Sequence, residues 1–302
     1  MRGKLPSVRD RVEPRPHKGI LLAGGRGTRL FPLTIGVNKH MLPVHDKPMI
    51  YYPLSTLMLG GVRQIVIISS QAHLPQFRQL LGDGSRFGIE LSYAVQDAPR
   101  GVADALRVAE SFLAGSPAVL ALGDNLLWGH LDYLREATHG RHGATVFAYP
   151  VQDASRYGVV VLDATGRPTS IEEKPSRPRS KLAIPGLYVF DDEAVAIAKE
   201  LAPSERGELE ITDVLRAYLR RGGLHVTPLG RGMAWLDMGT SEGLLGASDF
   251  VATIQARQGL YVGCLEEVAL RSGYLSPSEV ARVIAEYPPS NYRAYVESLL
   301  DA

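Results

Sequence analysis

The sequence predicts an α/β fold: a doubly wound, mainly parallel sheet with an inserted β-hairpin region and a helical C-terminal segment. Three observations carry this. From Lys18 onward, short runs rich in β-branched and apolar residues alternate with longer amphipathic stretches, the pattern of parallel strands joined by helical crossovers. Between Tyr157 and Pro175 that rhythm gives way to two strand-like runs around a turn at Ala164 to Arg167, an antiparallel hairpin. Past Ser241 the chain reads as helical throughout.

Taken in order, the first strand is GILLAGG (Gly19 to Gly25), followed by Val62 to Ser70, Glu90 to Gln96, Ala118 to Asn125 and Gly143 to Val151. Each is too short and too β-rich to favour a helix. The crossover helices are expected at Pro48 to Gly60, Leu74 to Leu81, Val102 to Leu113 and Leu131 to Thr138, with Gly60-Gly61 and Gly82-Asp83-Gly84 as stop signals. After the hairpin come a strand at Gly186 to Phe190, helices near Asp192 to Leu201 and Ile211 to Arg221, and strands at Leu224 to Leu229 and Met233 to Asp237. Leu244 to Gln255 begins the terminal helices, and Ser276 to Val280 opens another, with a serine N-cap and Glu279 three residues on.

Composition excludes several classes. In 302 residues the apolar content is 45 % and the charged content 22 %, which describes a globular chain rather than a disordered or collagenous one. Cys264 is the one cysteine, so no internal disulfide forms and a cysteine-based zinc site lacks its partners. With 33 basic and 32 acidic residues, net charge gives no case for nucleic acid or an acidic membrane as partner. Met1 to Lys18 holds six basic against two acidic residues, a local +4, and residues 1–17 read as a flexible extension. No apolar run reaches the roughly 18 to 20 residues that span a bilayer, and the expected location is cytoplasmic.

The residues that could carry chemistry stand at strand ends. The first strand runs into LAGGRGTRL, a glycine-rich turn (Gly24, Gly25, Gly27) whose exposed backbone N–H groups suit phosphate, with Arg29 ready for charge-assisted bonds. The bland alternative is a tight strand-to-helix turn with a surface arginine. Two known templates fail: a third Rossmann glycine is needed where Leu30 stands, and Walker A needs Gly-Lys-Ser/Thr where Gly-Thr-Arg stands. Lys39 follows closely enough to reach the same anion, or is a solvated lysine. His40 beside it is either a base or sugar contact or a packed ring. Asp124 ends an apolar strand, where open α/β sheets bind ligands, and Asp237 ends another. A hard cation takes one or two such carboxylates plus phosphate oxygens, although each aspartate alone also fits a cap or turn. In Glu172-Glu173-Lys174-Pro175, strand alternation puts Glu172 and Lys174 on one face and Glu173 on the other, unless the proline breaks the strand. Gly239-Thr240-Ser241-Glu242-Gly243 matches a hydrolase nucleophile elbow, but no histidine follows His225 in the chain, which removes that reading.

In order, LAGGRGTRL, NKHMLPVHDKPMIYYPLSTLML, LLGDGSRFGIELSYAVQ, LGDN, the RYGVV and EEKP hairpin, RGELEITD and GRGMAWLDMGT resemble the sugar-1-phosphate nucleotidyltransferases, and most of all the glucose-1-phosphate thymidylyltransferases. The resemblance runs from Lys18 to the C-terminus. It implies a Rossmann-like nucleotidyltransferase fold, with a nucleotide half over about 18–150, a sugar-binding half over about 151–240, and a segment 241–302 that serves assembly, as a homotetramer. By resemblance, Gly24, Gly25, Gly27, Thr28 and Arg29 hold the triphosphate with Lys39 beside them, and His40, Gln96, Gly101 and Asn125 face the nucleotide. Asp124 and Asp237 fall on Mg²⁺ ligands. Tyr157, Gly158, Glu173, Lys174 and Ile184 fall on the sugar phosphate pocket, with Tyr188 and Trp235 as walls.

The implied catalytic cations are Arg29, Lys39 and Lys174, the substrates dTTP and glucose 1-phosphate. A regulatory nucleotide site is implied at Gly129, His130, Arg231, Glu267 and Arg271. The sequence departs from the family at His40 (usually glutamine), which bears on dTTP versus UTP, at Met233 and Met238, which bear on pocket shape, and at Pro185. The rival readings are a UTP-dependent uridylyltransferase and a catalytically silent regulatory paralogue.

Overall fold

The computed structural model describes residues 16–139 and 142–301. Most of the expected N-terminal extension, residues 1–15, lies outside the described residues. The first elements are β1 (Lys18–Leu22), β2 (Pro43–Val44), β3 (Lys47–Pro48), α1 (Tyr51–Leu59), β4 (Gln64–Ser69), α2 (Leu74–Leu81), β5 (Glu90–Val95), α3 (Asp104–Val108), α4 (Glu110–Leu113), β6 (Ala118–Leu122), β7 (Asn125–Trp128), α5 (Asp132–Thr138) and β8 (Ala144–Pro150). There follow β9 (Gly158–Leu162), β10 (Pro168–Glu173), β11 (Leu182–Ala183), β12 (Leu187–Phe190), α6 (Ala194–Glu200), α7 (Ile211–Arg220), β13 (Leu224–Pro228) and β14 (Ala234–Asp237), then α8 (Ser241–Gln258), α9 (Leu265–Arg271), α10 (Pro277–Ala285) and α11 (Asn291–Ser298). The expected helix over Val102 to Leu113 is divided at Ala109, where no glycine or proline marks a break.

A ten-stranded sheet in the order β10-β9-β11-β8-β12-β6-β1-β4-β5 organises the chain, with β13 added beside β8. Its β6-β1-β4-β5 portion is parallel throughout. On the other side β12 runs antiparallel to both β6 and β8, and the β9–β10 hairpin adds the far edge as the turn chemistry predicts. The parallel strands are apolar on both faces, and Ile20, Leu21 and Ile65 to Ile68 are at most 1 % exposed. Alternation sends Ile20, Val66, Ile68 and Leu120 against α3, α4, α6 and α7, while Leu21, Ile65, Ile67 and Val119 face α1, α2, α5 and α9. Each such side chain contributes roughly 1.5–3 kcal/mol through burial. That is the doubly wound arrangement.

Register sets the functional edge. Leu22 lies opposite both Ile68 and Leu122, so the loops leaving β1, β4 and β6 emerge together at the carboxyl end of the sheet. A separate two-stranded sheet pairs β7 with β14 and places Asp237 opposite Asn125.

The C-terminal segment is helical, but it is built into the body of the protein. Leu265, Val268 and Ala269 of α9 share the core with Leu57 and Phe87, and Ala247 and Val251 of α8 pack with Val44, Tyr52, Leu126 and Met238. Lys47, 3 % exposed, fastens the β2–β3 hairpin to this segment: its Nζ bonds Asp46 at 2.6 Å and Gln255 Oε1 at 3.2 Å beneath the Tyr261 ring. Ser276 forms the expected capping box with Glu279. Ser276→Ala is therefore expected to lower stability by about 1 kcal/mol, read in denaturant melts, and to leave turnover unchanged. Among the described residues no helix is long and apolar enough to cross a membrane.

Candidate active site

At the carboxyl edge lies a cavity of about 510 Å³ whose walls include Arg29, Asp124, Asn125, Glu173, Lys174 and Asp237. The loop after β1 forms one side of it. Gly25 and Gly27 take φ of 94° and 61°, left-handed conformations that only glycine adopts freely, and the loop ends in a 3₁₀ turn, Thr28–Leu30. Leu30 is fully buried and anchors that turn, leaving Thr28 and Arg29 exposed. Gln96, at the end of β5, packs against Gly24 and donates to Asp104 Oδ2 at 3.0 Å. Gly101, with φ 106°, lies against the Leu209 backbone, where a Cβ would come within 2.4 Å of the carbonyl oxygen.

Lys39 begins a second 3₁₀ turn, capped by Asn38, and its ammonium meets Asp124 Oδ2 at 2.5 Å. Burial alone would raise the Asp124 carboxyl, but the Lys39 charge and the hydrogen bonds from Lys39 and Asn125 hold it well below the usual carboxylate range. His40 differs from the expectation of a nucleotide contact. Its ring is 1 % exposed, bonds Asn38 Oδ1 through Nδ1 at 2.8 Å, and abuts Gly123, where a Cβ would lie 2.6 Å from the ring. Burial, reinforced by Lys39, pushes its pKa down to about 3, so it is a neutral packing ring beneath the site. Met238 is fully buried in the core, Met233 packs half-buried against it, and neither is among the residues that line the cavity.

Asn125 joins three parts of the cavity. Its Nδ2 donates to Asp124 Oδ1 at 3.0 Å, while its Oδ1 accepts from Trp235 Nε1 at 2.6 Å and from the Gly186 N–H at 3.0 Å. Trp235 is set edge-on to Tyr157 and Tyr149, with ring centroids 4.8 and 5.8 Å away. Among the described residues the Asp237 side chain accepts one hydrogen bond, from the Gly239 N–H at 3.0 Å. Asp124 and Asp237, 113 positions apart in sequence, thus share one cavity because β7 and β14 pair.

The opposite side of the cavity comes from the β9–β10 hairpin. Gly158 stands opposite Glu173, and Ile184 and Tyr188 complete the wall. Strand alternation does not carry through to Lys174. The strand ends at Glu173, Lys174 takes φ 39°, and its Nζ sits 3.5 Å from Glu173 Oε1 on the same cavity, while Glu172 pairs with Arg179. Four residues to which the sequence assigns no individual role complete this end. Arg206 Nη2 reaches Glu210 Oε1 at 2.7 Å and Glu173 Oε1 at 3.3 Å; Glu208 and Thr212 line the cavity, and the Thr212 hydroxyl is buried without a partner. Their signal was the charge cluster within RGELEITD.

The residues of the implied regulatory site fall into surface groups. Gly129 faces Gly232 and Met233, next to Arg231, with His130 exposed beside it, and Glu267 pairs with Arg271 at 2.7 Å along α9.

A family model described as nucleotidyl transferase matches residues 18–254. A glucose-1-phosphate thymidylyltransferase of Neisseria meningitidis is 51 % identical over 285 residues, covering 94 % of this chain and 99 % of that protein. A crystal structure of a Bacillus anthracis protein described as a candidate glucose-1-phosphate thymidylyltransferase, in complex with sucrose, superposes with a TM-score of 0.73 at 40 % identity, covering 78 % of this chain and 94 % of that one. A UDP-glucose pyrophosphorylase complexed with UDP-glucose shares the fold, with a TM-score of 0.70 at 24 % identity over 79 % of this chain and 99 % of its own. On the sequence match, which takes in the glycine loop, both carboxylates and the hairpin, the chain belongs to the nucleotidyl transferase family.

Proposed function

We propose that the protein transfers the thymidylyl group of dTTP to glucose 1-phosphate, giving dTDP-glucose and pyrophosphate. The observation that carries this is a single cavity holding two strand-end carboxylates between a glycine loop with Arg29 and a hairpin with Glu173 and Lys174. The names of relatives at about half identity support the substrates.

The chain's groups divide the work. Backbone N–H groups of 24–28 and Arg29 hold the triphosphate, Lys174 takes the phosphate of glucose 1-phosphate, and Glu173 accepts from sugar hydroxyls. An oxygen of that phosphate attacks the α-phosphorus in line; the new P–O bond forms as the bond to the β-phosphate breaks, and pyrophosphate leaves with its electron pair. The nucleophile is already an anion, so no general base is required and no covalent enzyme intermediate forms. Alignment and charge neutralisation by Arg29, Lys39 and Lys174 supply the catalysis.

Asp124 and Asp237 fit Mg²⁺: both are carboxylates of one cavity, Asp124 held ionised and Asp237 accepting little from the protein. The ion, when bound, neutralises phosphate charge and polarises the α-phosphoryl group.

Four further readings belong to this proposal: a cytoplasmic location, a homotetramer assembled through 241–302, a second nucleotide site at Gly129, His130, Arg231, Glu267 and Arg271, and a division of labour between halves 18–150 and 151–240. Residues 1–17 are expected to be dispensable. The test of substrate choice is competition between dTTP and UTP at equal concentration with glucose 1-phosphate, with products identified by mass. A dominant dTDP-hexose supports the proposal; a dominant UDP-hexose replaces the nucleotide in it.

A further inference from the structure

Building on the proposed function, we infer that Gly239–Gly243, the segment resembling a nucleophile elbow, is a positioning device that sets Arg29 and Asp237 against one point of backbone. A Cβ on Gly239 would lie 2.6 Å from Arg29 Nη2 and 2.9 Å from Asp237 Oδ1. Both groups therefore use the space that a side chain at 239 would fill. Gly239 has no positive φ, so an alanine fits the backbone there and only the two neighbours oppose it.

Further contacts hold this segment and its neighbour Met238 in place beside the cavity. The Gly239 N–H donates to Asp237 Oδ1 at 3.0 Å, and the Met238 N–H donates to the Asp124 carbonyl at 2.9 Å. Thr240 caps α8 by accepting from the Gly243 N–H at 3.1 Å. Gly243 in turn lets the helix seat on the Asp237 carbonyl, which would stand 2.1 Å from a Cβ at that position. Gly246, about one turn further along α8, has nothing within 4 Å of the point a Cβ would occupy and is under no such constraint. The crowding is confined to the end of α8 that meets the cavity.

Arg29 is the softer of the two neighbours, because the clashing atom is the far end of a flexible side chain. Gly239→Ala should therefore move the guanidinium off the triphosphate position while leaving the fold in place. Gly239 is a positioning residue and touches no reacting atom.

The test compares wild type, Gly239→Ala and Gly246→Ala. In the presence of EDTA, calorimetry should show dTTP bound roughly tenfold or more weakly by Gly239→Ala and unchanged by Gly246→Ala, with thermal midpoints like wild type. In an Arg29→Ala background, Gly239→Ala should add little. With metal, the KM for dTTP should rise while that for glucose 1-phosphate stays put. Wild-type dTTP affinity in Gly239→Ala, an affinity loss that tracks a fall in thermal midpoint, or a parallel rise of both KM values overturns the inference. A wild-type chain that binds dTTP without turnover overturns the proposed function alone, since the EDTA binding ratio still decides this point; one that does not bind dTTP overturns both.

Discussion

Asp237→Ala should lower kcat by roughly a thousandfold, the loss expected when one preorganised stabiliser of developing phosphate charge is removed. The fold should survive. Asp237 is half-buried at the end of a four-residue strand, and among the described residues its side chain accepts only the Gly239 N–H. Losing that bond costs about 1 kcal/mol, a small fraction of a domain's stability. Pyrophosphate release at the wild-type rate by this variant would remove Asp237 from the metal-binding role, and an unfolded variant would show that the β7–β14 sheet depends on its carboxylate.

The second large effect is at Asp124, where chemistry and stability are coupled. Its partner Lys39 has a side chain 15 % exposed, so Asp124→Ala leaves an ammonium with little water and without the counterion that stood at 2.5 Å. Removing one member of such a buried pair costs about 3 kcal/mol or more, and turnover should be lost as well. Asp124→Asn keeps the shape and a polar partner for Asn125, and separates the two effects: smaller loss of stability, equal loss of activity. The pH dependence has a definite sign. A carboxyl held below its unfolded value of about 3.9 contributes stability that is fully present above that pH and is lost as the pH falls toward the depressed folded value. The stability gap between wild type and Asp124→Asn should thus be constant near neutrality and close below about pH 4, in urea melts at a series of pH values. A gap that widened on acidification would contradict the ion pair.

Much of this site was legible because it depends on local chemistry. The glycine loop, Arg29 and Asp124 follow from a strand running into a turn, and the parallel strands announce themselves by apolar runs bounded by glycine. What stayed hidden depends on tertiary pairing. Asp124 and Asp237 meet through β7 (Asn125–Trp128), which the sequence reading does not separate out: its strand runs from Ala118 to Asn125, across the turn at Gly123-Asp124 that divides β6 from β7. Lys174 reaches the cavity through a left-handed backbone that strand alternation does not anticipate. His40 carries a polar side chain in a loop-like sequence, yet its Nδ1 bonds Asn38 and its ring is buried against Gly123. Arg206 acquires a role only when α7 and the hairpin bring Glu210 and Glu173 together.

The central claim, that this cavity carries out nucleotidyl transfer to a sugar phosphate, is tested most directly by pyrophosphate release. The expected result is steady release with dTTP, glucose 1-phosphate and Mg²⁺ together, and none when any one of the three is withheld. Binding of nucleotide and sugar phosphate without pyrophosphate release from any combination of nucleoside triphosphate and sugar 1-phosphate would contradict it.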